Sequence, residues 1–207
     1  PIRDYPLDPE SGHPLAGHIL GFVREINADE IAEWNRNTEE GRYYQSGDLI
    51  GKSGLEKSYE NHLRGIDGAR QVEVNAYNRE VSKMMTIPAT PGNSIVLTLD
   101  AKLQQVMESS MDETLASLQA KGNVKAKAVA AVAIDVKTGA ILAMVSRPFL
   151  DPNDFIGTMS QDLANFYYST QPAASINRAI ASAYPPGSTF KPITAMALLE
   201  SHAVTAN

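Results

Sequence analysis

The chain has 207 residues, of which 43% are hydrophobic, with a formal net charge of −6 at pH 7 and no cysteine. This length and composition fit one or two globular domains, and the lack of cysteine excludes disulfides and thiolate metal sites. The acidic balance and the absence of a dense Lys/Arg run argue against nucleic acid as a partner, and no apolar stretch is long enough to span a bilayer.

The first part of the chain, from residue 1 to about residue 91, is polar and punctuated by glycines. Asn27 precedes a run of residues that predicts a short helix. Residues 71–76 alternate in the manner that predicts a strand with one polar face. This part contains no obvious cluster of catalytic residues, so we expect an extended, non-catalytic α+β module with a small core.

From Gly92 onward the sequence predicts longer regular elements. Residues 94–99 predict a strand, and Asp100 is placed to cap a helix that ends near Gly122. A stripe of apolar residues at helical spacing supports this helix: Leu103, Val106, Met107, Met111, Leu115 and Leu118. Its acidic residues predict a solvated face: Glu108, Asp112 and Glu113.

Two apolar runs, residues 128–134 and 140–146, are separated by a glycine-containing turn at residues 135–139. They predict a β-hairpin that is apolar enough to lie deep in a sheet. Residues 147–183 are rich in loop-forming residues. The order of helix, hairpin and helix predicts an antiparallel sheet flanked by helices, and therefore an α+β fold.

A Pro-Pro-Gly run at residues 185–187 comes directly before Ser188, and an apolar run follows at residues 193–199. A helix is therefore predicted to begin near Ser188, with Lys191 one turn later on the same face. A partly desolvated lysine can take the proton of a serine, so the two are a candidate nucleophile and base. The alternative is that Ser188 is only an N-cap and Lys191 only a solvated cation.

The string from Pro185 to Pro192, with Asn177-Arg178-Ala179 upstream, closely resembles the active-site serine motif of the penicillin-binding proteins. Further segments resemble this family in the same order along nearly the whole chain. Those that resemble its transpeptidase domain are residues 97–100, 103–104, 135–146 and 151–153. Those that resemble the pedestal of its class B members are Arg3, residues 5–6, His18, Gly21, and residues 51–56, 59–60 and 63–68. Residues 72–75 and 177–186 are most similar to the elongation type.

The resemblance implies a pedestal over residues 1–91, followed over residues 92–207 by the amino-terminal portion of a transpeptidase domain with a serine β-lactamase-like fold. It implies that Ser188 attacks the penultimate D-alanine carbonyl of a peptidoglycan stem peptide, with Lys191 as general base. The backbone amide of Ser188 would form half of an oxyanion hole, which holds the developing negative charge. A β-lactam would acylate the same serine.

Partners and a location are also implied by the resemblance. Peptidoglycan stem peptides and β-lactams would bind the site, and neither a cofactor nor a metal is expected. A polymerising glycosyltransferase and a scaffold protein of the elongation complex would contact the pedestal. The family acts on the extracytoplasmic face of the bacterial cytoplasmic (inner) membrane, to which it is anchored by an amino-terminal helix that is not in this sequence.

Two tripeptides imitate family motifs that belong after the nucleophile. Lys137-Thr138-Gly139 and Ser175-Ile176-Asn177 both precede Ser188, so we interpret both as coincidence and expect the true motifs beyond Asn207. The chain as given is therefore expected to be catalytically incomplete.

Two further features are expected to carry no chemistry. Residues 47–53 imitate a phosphate-binding loop, but three residues separate the glycines where that motif needs four, so a pedestal turn is expected. The histidines show no metal-ligand spacing, and each is expected to be structural or solvated: His13, His18, His62 and His202.

Two other functions stay open. The pedestal could make the chain an interaction module that binds elongation-complex partners without catalysis. A serine β-lactamase or a β-lactam sensor has the same fold as the transpeptidase domain. Such proteins resemble only the region after about Gly92, however, and the pedestal argues against them.

Overall fold

A computed structural model describes residues 5–9, 12, 14–36, 43–77 and 79–205. The strands are β1 Val23–Glu25, β2 Leu49–Gly51, β3 Ala69–Val74, β4 Glu80–Ile87, β5 Val129–Ile134 and β6 Ile141–Arg147. The α-helices are α1 Gly17–Leu20, α2 Ala28–Asn35, α3 Gly54–Ser58, α4 Glu60–Leu63, α5 Ala101–Ala120, α6 Gln161–Ala164, α7 Arg178–Ala181 and α8 Lys191–Glu200. Single turns of 3₁₀ helix span Pro152–Phe155 and Gly187–Phe190, and a π-helical turn spans Asn165–Ser169.

The strands form three separate antiparallel pairs in the described part of the chain: β1 with β2, β3 with β4, and β5 with β6. In the last pair Val132 lies opposite Met144. Helices α5 and α7 pack against this hairpin. The predicted α+β fold class is confirmed, and so is the predicted hairpin. The prediction that the whole hairpin is buried holds for only one of its strands. Strand β6 has buried residues, whereas Val132 and Ile134 of β5 are exposed.

The amino-terminal part has the small core that the sequence predicts. Ile26, Tyr44 and Ile50 are buried together, and Ile31 and Trp34 of α2 pack against them. The small size of this core reflects the polar composition of the first part of the chain, which supplies few apolar side chains to bury.

Helix α2 begins directly after Asn27, as the sequence predicts. The Asn27 side chain accepts a hydrogen bond from the Glu30 amide, and the Glu30 carboxylate accepts one from the Asn27 amide, both at 2.9 Å. Each residue thereby satisfies one amide that the start of a helix leaves without an intrahelical partner.

Buried polar groups hold the strands of this part in place. The Tyr44 hydroxyl donates to Glu60 Oε1 at 2.7 Å, and the Gly51 amide donates to Glu60 Oε2 at 2.8 Å. Residues 47–53, which imitate a phosphate-binding loop, form a turn, strand β2 and the approach to α3. A Cβ at Gly51 would lie 2.2 Å from the Glu56 backbone carbonyl, so only glycine lets β2 pack this closely on α3.

Helix α5 begins and ends as predicted. The Asp100 side chain accepts from the Leu103 amide at 2.9 Å, and Gly122 follows the helix with φ +88°. The apolar stripe of α5 is not, however, the part of the helix that is most deeply buried. The buried residues of α5 are Gln104 and Glu108, whereas the apolar residues are half-buried or exposed. The reason is that β6 and the amino-terminal segment present polar groups to this face.

The predicted strand at residues 94–99 is wrong. Ile95, Leu97 and Leu99 alternate with exposed neighbours, but the segment joins no ladder in the described structure. Two bonds to the start of β6 hold its end: Thr98 Oγ1 donates to the Ile141 carbonyl, and the Asp100 amide donates to the Leu142 carbonyl. Alternation of apolar and polar residues predicts an extended backbone, but it does not show whether another strand lies beside it to form a sheet.

A second core joins the two halves of the chain. Phe22 stacks on Phe155 with ring centroids 3.6 Å apart and planes inclined by 14°. The other buried members of this cluster are Leu150, Tyr167 and Ala174. The segment before β1 therefore packs on the long loop between β6 and α7, which positions that loop.

Candidate active site

The predicted nucleophile, Ser188, lies in the 3₁₀ turn Gly187–Phe190. Gly187 has φ +53°, a backbone conformation that glycine adopts without steric cost. The Thr189 amide and hydroxyl both donate to the Pro186 carbonyl, at 3.2 Å and 2.5 Å. These bonds close the turn that presents Ser188, and the Ser188 residue is exposed.

The predicted base, Lys191, is the first residue of α8, and its backbone N–H donates to the Ser188 carbonyl oxygen. Pro192 follows within the first turn, where its missing N–H costs no helical bond. The prediction that a helix begins near Ser188 is therefore confirmed, with a 3₁₀ turn before the α-helix. A nucleophile and a base one turn apart can exchange a proton, and this use of the pair stays a prediction.

The segment that leads to this turn is held by a buried cluster that the sequence did not reveal. Arg178 donates from Nη2 to the Ala173 carbonyl at 2.8 Å and from Nη1 to the Ile176 carbonyl at 3.2 Å. Ser146 Oγ accepts from the Arg178 amide at 3.0 Å and donates to the Ile176 carbonyl at 3.1 Å. Two signals in the sequence point to Arg178: it is the one charged residue of the 173–181 run, and it belongs to the Asn177-Arg178-Ala179 segment that resembles the family.

His18 joins this segment to helix α1. Its Nε2 lies 2.8 Å from the Ala174 carbonyl oxygen, and since a carbonyl can only accept, Nε2 carries the proton. Burial lowers the pKa of His18 to about 4, and the nearby positive charges of Arg147 and Arg178 act in the same direction. His18 is therefore neutral near pH 7 and has a structural role.

A buried ion cluster lies between α5 and β6. Arg147 donates to Asp112 at 2.7 Å and 2.8 Å and to Glu108 at 3.2 Å. Burial opposes the charge of Arg147, but the hydrogen bond to Asp112 and the two carboxylate charges outweigh it and raise the Arg147 pKa. Glu108 also accepts from the Ala16 amide at 2.9 Å. The prediction of a solvated face is wrong for Glu108, because its charge has fixed buried partners.

The two imitations of family motifs have local structural roles. Lys137-Thr138-Gly139 forms the turn between β5 and β6, where Asp135 accepts from the Lys137 amide and the Thr138 hydroxyl. The hydrogen bond from the Lys137 amide lowers the Asp135 pKa most, and the bond from the Thr138 hydroxyl lowers it further. In Ser175-Ile176-Asn177, the Asn177 side chain caps α7 by accepting from the Ala179 amide.

The remaining candidate residues form no further site where the structure describes them. His62 and His202 are exposed, and His13 and Arg3 lie outside the described residues. Within the described ranges, no group of three or more His, Asp or Glu could hold a metal ion. None of the helices in those ranges has the length and hydropathy that a membrane crossing requires.

Comparisons with known proteins place both halves of the chain in one family. Residues 1–97 match the model of the penicillin-binding protein dimerisation domain, and residues 129–207 match that of the penicillin binding protein transpeptidase domain. Peptidoglycan D,D-transpeptidase MrdA of Escherichia coli K12 is 35% identical over 190 residues. The matched region is 92% of this chain and 28% of that relative.

Solved structures agree with the sequence comparisons. A chain in a peptidoglycan synthase complex that coordinates polymerization and crosslinking matches with a TM-score of 0.75 and 35% identity, over 94% of this chain and 33% of that chain. PBP2 of Helicobacter pylori, solved in complex with MreC, matches with a TM-score of 0.66 and 28% identity over the same shares of the two chains. The chain thus spans a third or less of the length of these relatives. With its dimerisation-domain segment followed by a transpeptidase-domain segment, the chain belongs to the penicillin-binding proteins.

Proposed function

We propose that the protein carrying this chain is a peptidoglycan D,D-transpeptidase of the elongation type, with Ser188 as nucleophile and Lys191 as general base. The observation that carries the proposal is the Ser188 turn, closed by Thr189 and followed directly by Lys191 at the start of α8. We assign residues 1–91 to the pedestal and residues 92–207 to the transpeptidase domain. The dimerisation-domain match over residues 1–97 favours this assignment over a serine β-lactamase or a β-lactam sensor.

The proposed reaction has two acyl-transfer steps. Ser188 Oγ attacks the carbonyl carbon of the penultimate D-alanine while Lys191 Nζ takes the hydroxyl proton. The amide bond to the terminal D-alanine breaks, and that residue leaves as an amine that receives a proton. An amine from a neighbouring stem peptide then attacks the ester, forms the new amide and releases Ser188 with its proton.

Negative charge develops on the carbonyl oxygen in both steps. The backbone N–H of Ser188 is proposed as one donor of the oxyanion hole, because it lies beside the reacting carbon once the ester forms. The adjoining start of α8 adds a favourable dipole. A β-lactam presents a strained amide to the same serine and would acylate it in the same way.

Labelling by a fluorescent penicillin tests this function in the full-length protein. Ser188→Ala should abolish covalent labelling, and Lys191→Ala should slow it by about 10²- to 10⁴-fold, the range that a general base contributes. Ser201→Ala is the matched control, because Ser201 is an exposed serine at the other end of α8. Labelling that persists in Ser188→Ala would refute the assignment of the nucleophile.

We also propose that the amino-terminal part binds partners of the elongation complex on the extracytoplasmic face of the membrane. The partners are a polymerising glycosyltransferase and a scaffold protein. The support is that one similar protein was solved in a peptidoglycan synthase complex and another with MreC. The β3–β4 hairpin adds an exposed apolar surface: Tyr77, Val81, Met85 and Ile87.

Crosslinking tests this second function. A photoreactive residue at position 77 or 85 of the full-length protein should crosslink to one of these two partners in cells. The same residue at position 113, on the exposed side of α5, is the control. Equal crosslinking from both surfaces, or none from the hairpin, would contradict a specific interface there.

A further inference from the structure

We infer that Arg178, together with Ser146, is a positioning residue for Ser188: it holds the segment 173–178 against β6 and so fixes the path of the chain into the nucleophile turn. The inference rests on the proposed function, in which Ser188 is the nucleophile. Arg178 does not touch the reacting atoms, and its action passes through the backbone that it holds.

The hydrogen bonds of this cluster converge on one short segment. Arg178 reaches back to the carbonyls of Ala173 and Ile176, at 2.8 Å and 3.2 Å. Ser146 of β6 uses its hydroxyl both as donor, to Ile176, and as acceptor, from the Arg178 amide. The segment is thereby tied to itself by the guanidinium and to the sheet by the hydroxyl.

The burial of Arg178 indicates that this residue has a role beyond packing. Arg178 is 6% exposed, yet no carboxylate pairs with it among the residues that the structure describes. Its charge is balanced by carbonyl dipoles instead. Burying a charge without an ionic partner is costly unless hydrogen bonds replace its hydration, and the rigid guanidinium fork suits two carbonyls at fixed positions.

Arg178 lies ten residues before Ser188 in the chain, and we call its cluster with Ser146 the anchor. Arg178 is the first residue of α7, which packs on β5 and β6. Beyond α7, Ser182 and Tyr184 line a groove along β5, and the 3₁₀ turn follows at Gly187. Helix α8 has no buried residue in the described structure and makes its main contacts with that turn. In this part of the molecule, the sheet thus holds Ser188 mainly through α7 and its anchor.

A shift of the nucleophile affects the chemical step more than binding. A displacement of about 1 Å can slow a reaction by about 10²-fold because the attacking atom leaves its line of approach. Ground-state binding of a β-lactam depends on many contacts and should change little. A positioning role therefore predicts a lower acylation rate constant at saturation, with a nearly unchanged half-saturating concentration.

The test uses the full-length protein and the time course of acylation by a labelled penicillin. Arg178→Met should lower the saturating rate constant by about 10- to 100-fold and change the half-saturating concentration by no more than about 2-fold. Arg178→Lys should recover part of the rate, since an ammonium group can still donate to one of the carbonyls. Ser146→Ala should show the same pattern with a smaller loss.

The control separates positioning from stability. Ile50→Ala removes a buried side chain from the other core, and its saturating rate constant should match that of wild type at a comparable loss of melting temperature. If the Arg178 variants lose no more rate than Ile50→Ala, the positioning role is wrong. If Arg178→Met does not fold, Ser146→Ala decides, and a wild-type rate in that variant overturns the role.

Failure of the proposed function gives a different result. Wild-type protein that is not acylated, or labelling that survives in Ser188→Ala, removes the transpeptidase assignment and the positioning role with it. Acylation at Ser188 with normal rates in the Arg178 and Ser146 variants removes only the positioning role.

Discussion

The imidazole Nε2 of His18 donates a hydrogen bond to the carbonyl oxygen of Ala174, 156 residues further along the chain, at 2.8 Å. This bond ties α1 to the segment that leads toward Ser188. The neighbouring Gly17 packs so closely that a Cβ there would lie 2.0 Å from the Leu150 carbonyl oxygen. The amino-terminal segment is therefore part of the structure that supports the candidate active site.

His18 should make stability depend on pH. Its pKa is about 4 in the folded protein against 6.5 for an ordinary histidine, so between these values the unfolded chain binds more protons. The free energy of unfolding should therefore fall as pH decreases from about 6.5 to about 4, by up to about 3 kcal/mol from this residue. Urea unfolding of the full-length protein at several pH values measures this.

The variant His18→Gln keeps an N–H donor but cannot titrate, so its stability should fall less over that pH range than the wild type. His62→Gln, which replaces an exposed histidine, is the matched control and should follow the wild-type curve. If the free energy of unfolding of His18→Gln falls with decreasing pH as much as that of wild type, His18 is not the source of the pH dependence.

Removing Arg147 should destabilise the fold strongly. Arg147→Met leaves the carboxylate of Glu108 buried without its cation, and breaking a buried ion pair in this way costs about 3–5 kcal/mol. Adding Glu108→Gln should recover part of that loss because a neutral amide then replaces the buried carboxylate that has lost its cation. Chemical denaturation of the single and double variants measures both effects.

The matched control for that prediction is a more exposed ion pair. Lys52 and Glu30 form a half-buried salt bridge in the amino-terminal part, more exposed than the pair of Arg147 and Glu108. Lys52→Met should cost no more than about 1 kcal/mol. Losses of equal size for Lys52→Met and Arg147→Met would show that burial does not decide the strength of the two pairs.

Gly21 should tolerate no side chain. It has φ +76°, and a Cβ would lie 1.9 Å from the Ser53 carbonyl oxygen, so Gly21→Ala requires a backbone shift. We expect a loss above about 3 kcal/mol in thermal or chemical unfolding. Gly139→Ala is the control, because Gly139 has φ +75° but nothing within 4 Å of its Cβ position, and about 1–2 kcal/mol is expected. Similar losses would mean that the contact with Ser53 relaxes easily.

The hydroxyl of Tyr167 should contribute to the core that joins the two halves. It donates to Asp154 Oδ2 at 2.5 Å and accepts from the Asp151 amide at 3.2 Å. Tyr167→Phe leaves both groups without this partner and should cost about 1–3 kcal/mol. Tyr168→Phe, at the exposed neighbouring tyrosine, should be close to neutral in the same unfolding experiment. A neutral Tyr167→Phe would contradict the prediction.

Elements with local signals were predicted well from the sequence. Asp100 and Gly122 mark the ends of α5, Asn27 marks the start of α2, and the turn after β5 follows from Asp135 and Gly139. These features depend on bonds between residues only a few positions apart. The serine motif was recognised for the same reason, since its pattern lies within one short stretch.

The sequence by itself thus determined the family, the α+β class, the ends of several elements and the identity of the candidate pair Ser188 and Lys191. Only the tertiary structure decided that Glu108 is buried with Arg147, that residues 94–99 join no ladder, and that Arg178 holds the approach to Ser188. Charge and alternation describe a residue and its neighbours in sequence. Burial and pairing depend on groups that lie far away in the chain and meet only when it folds.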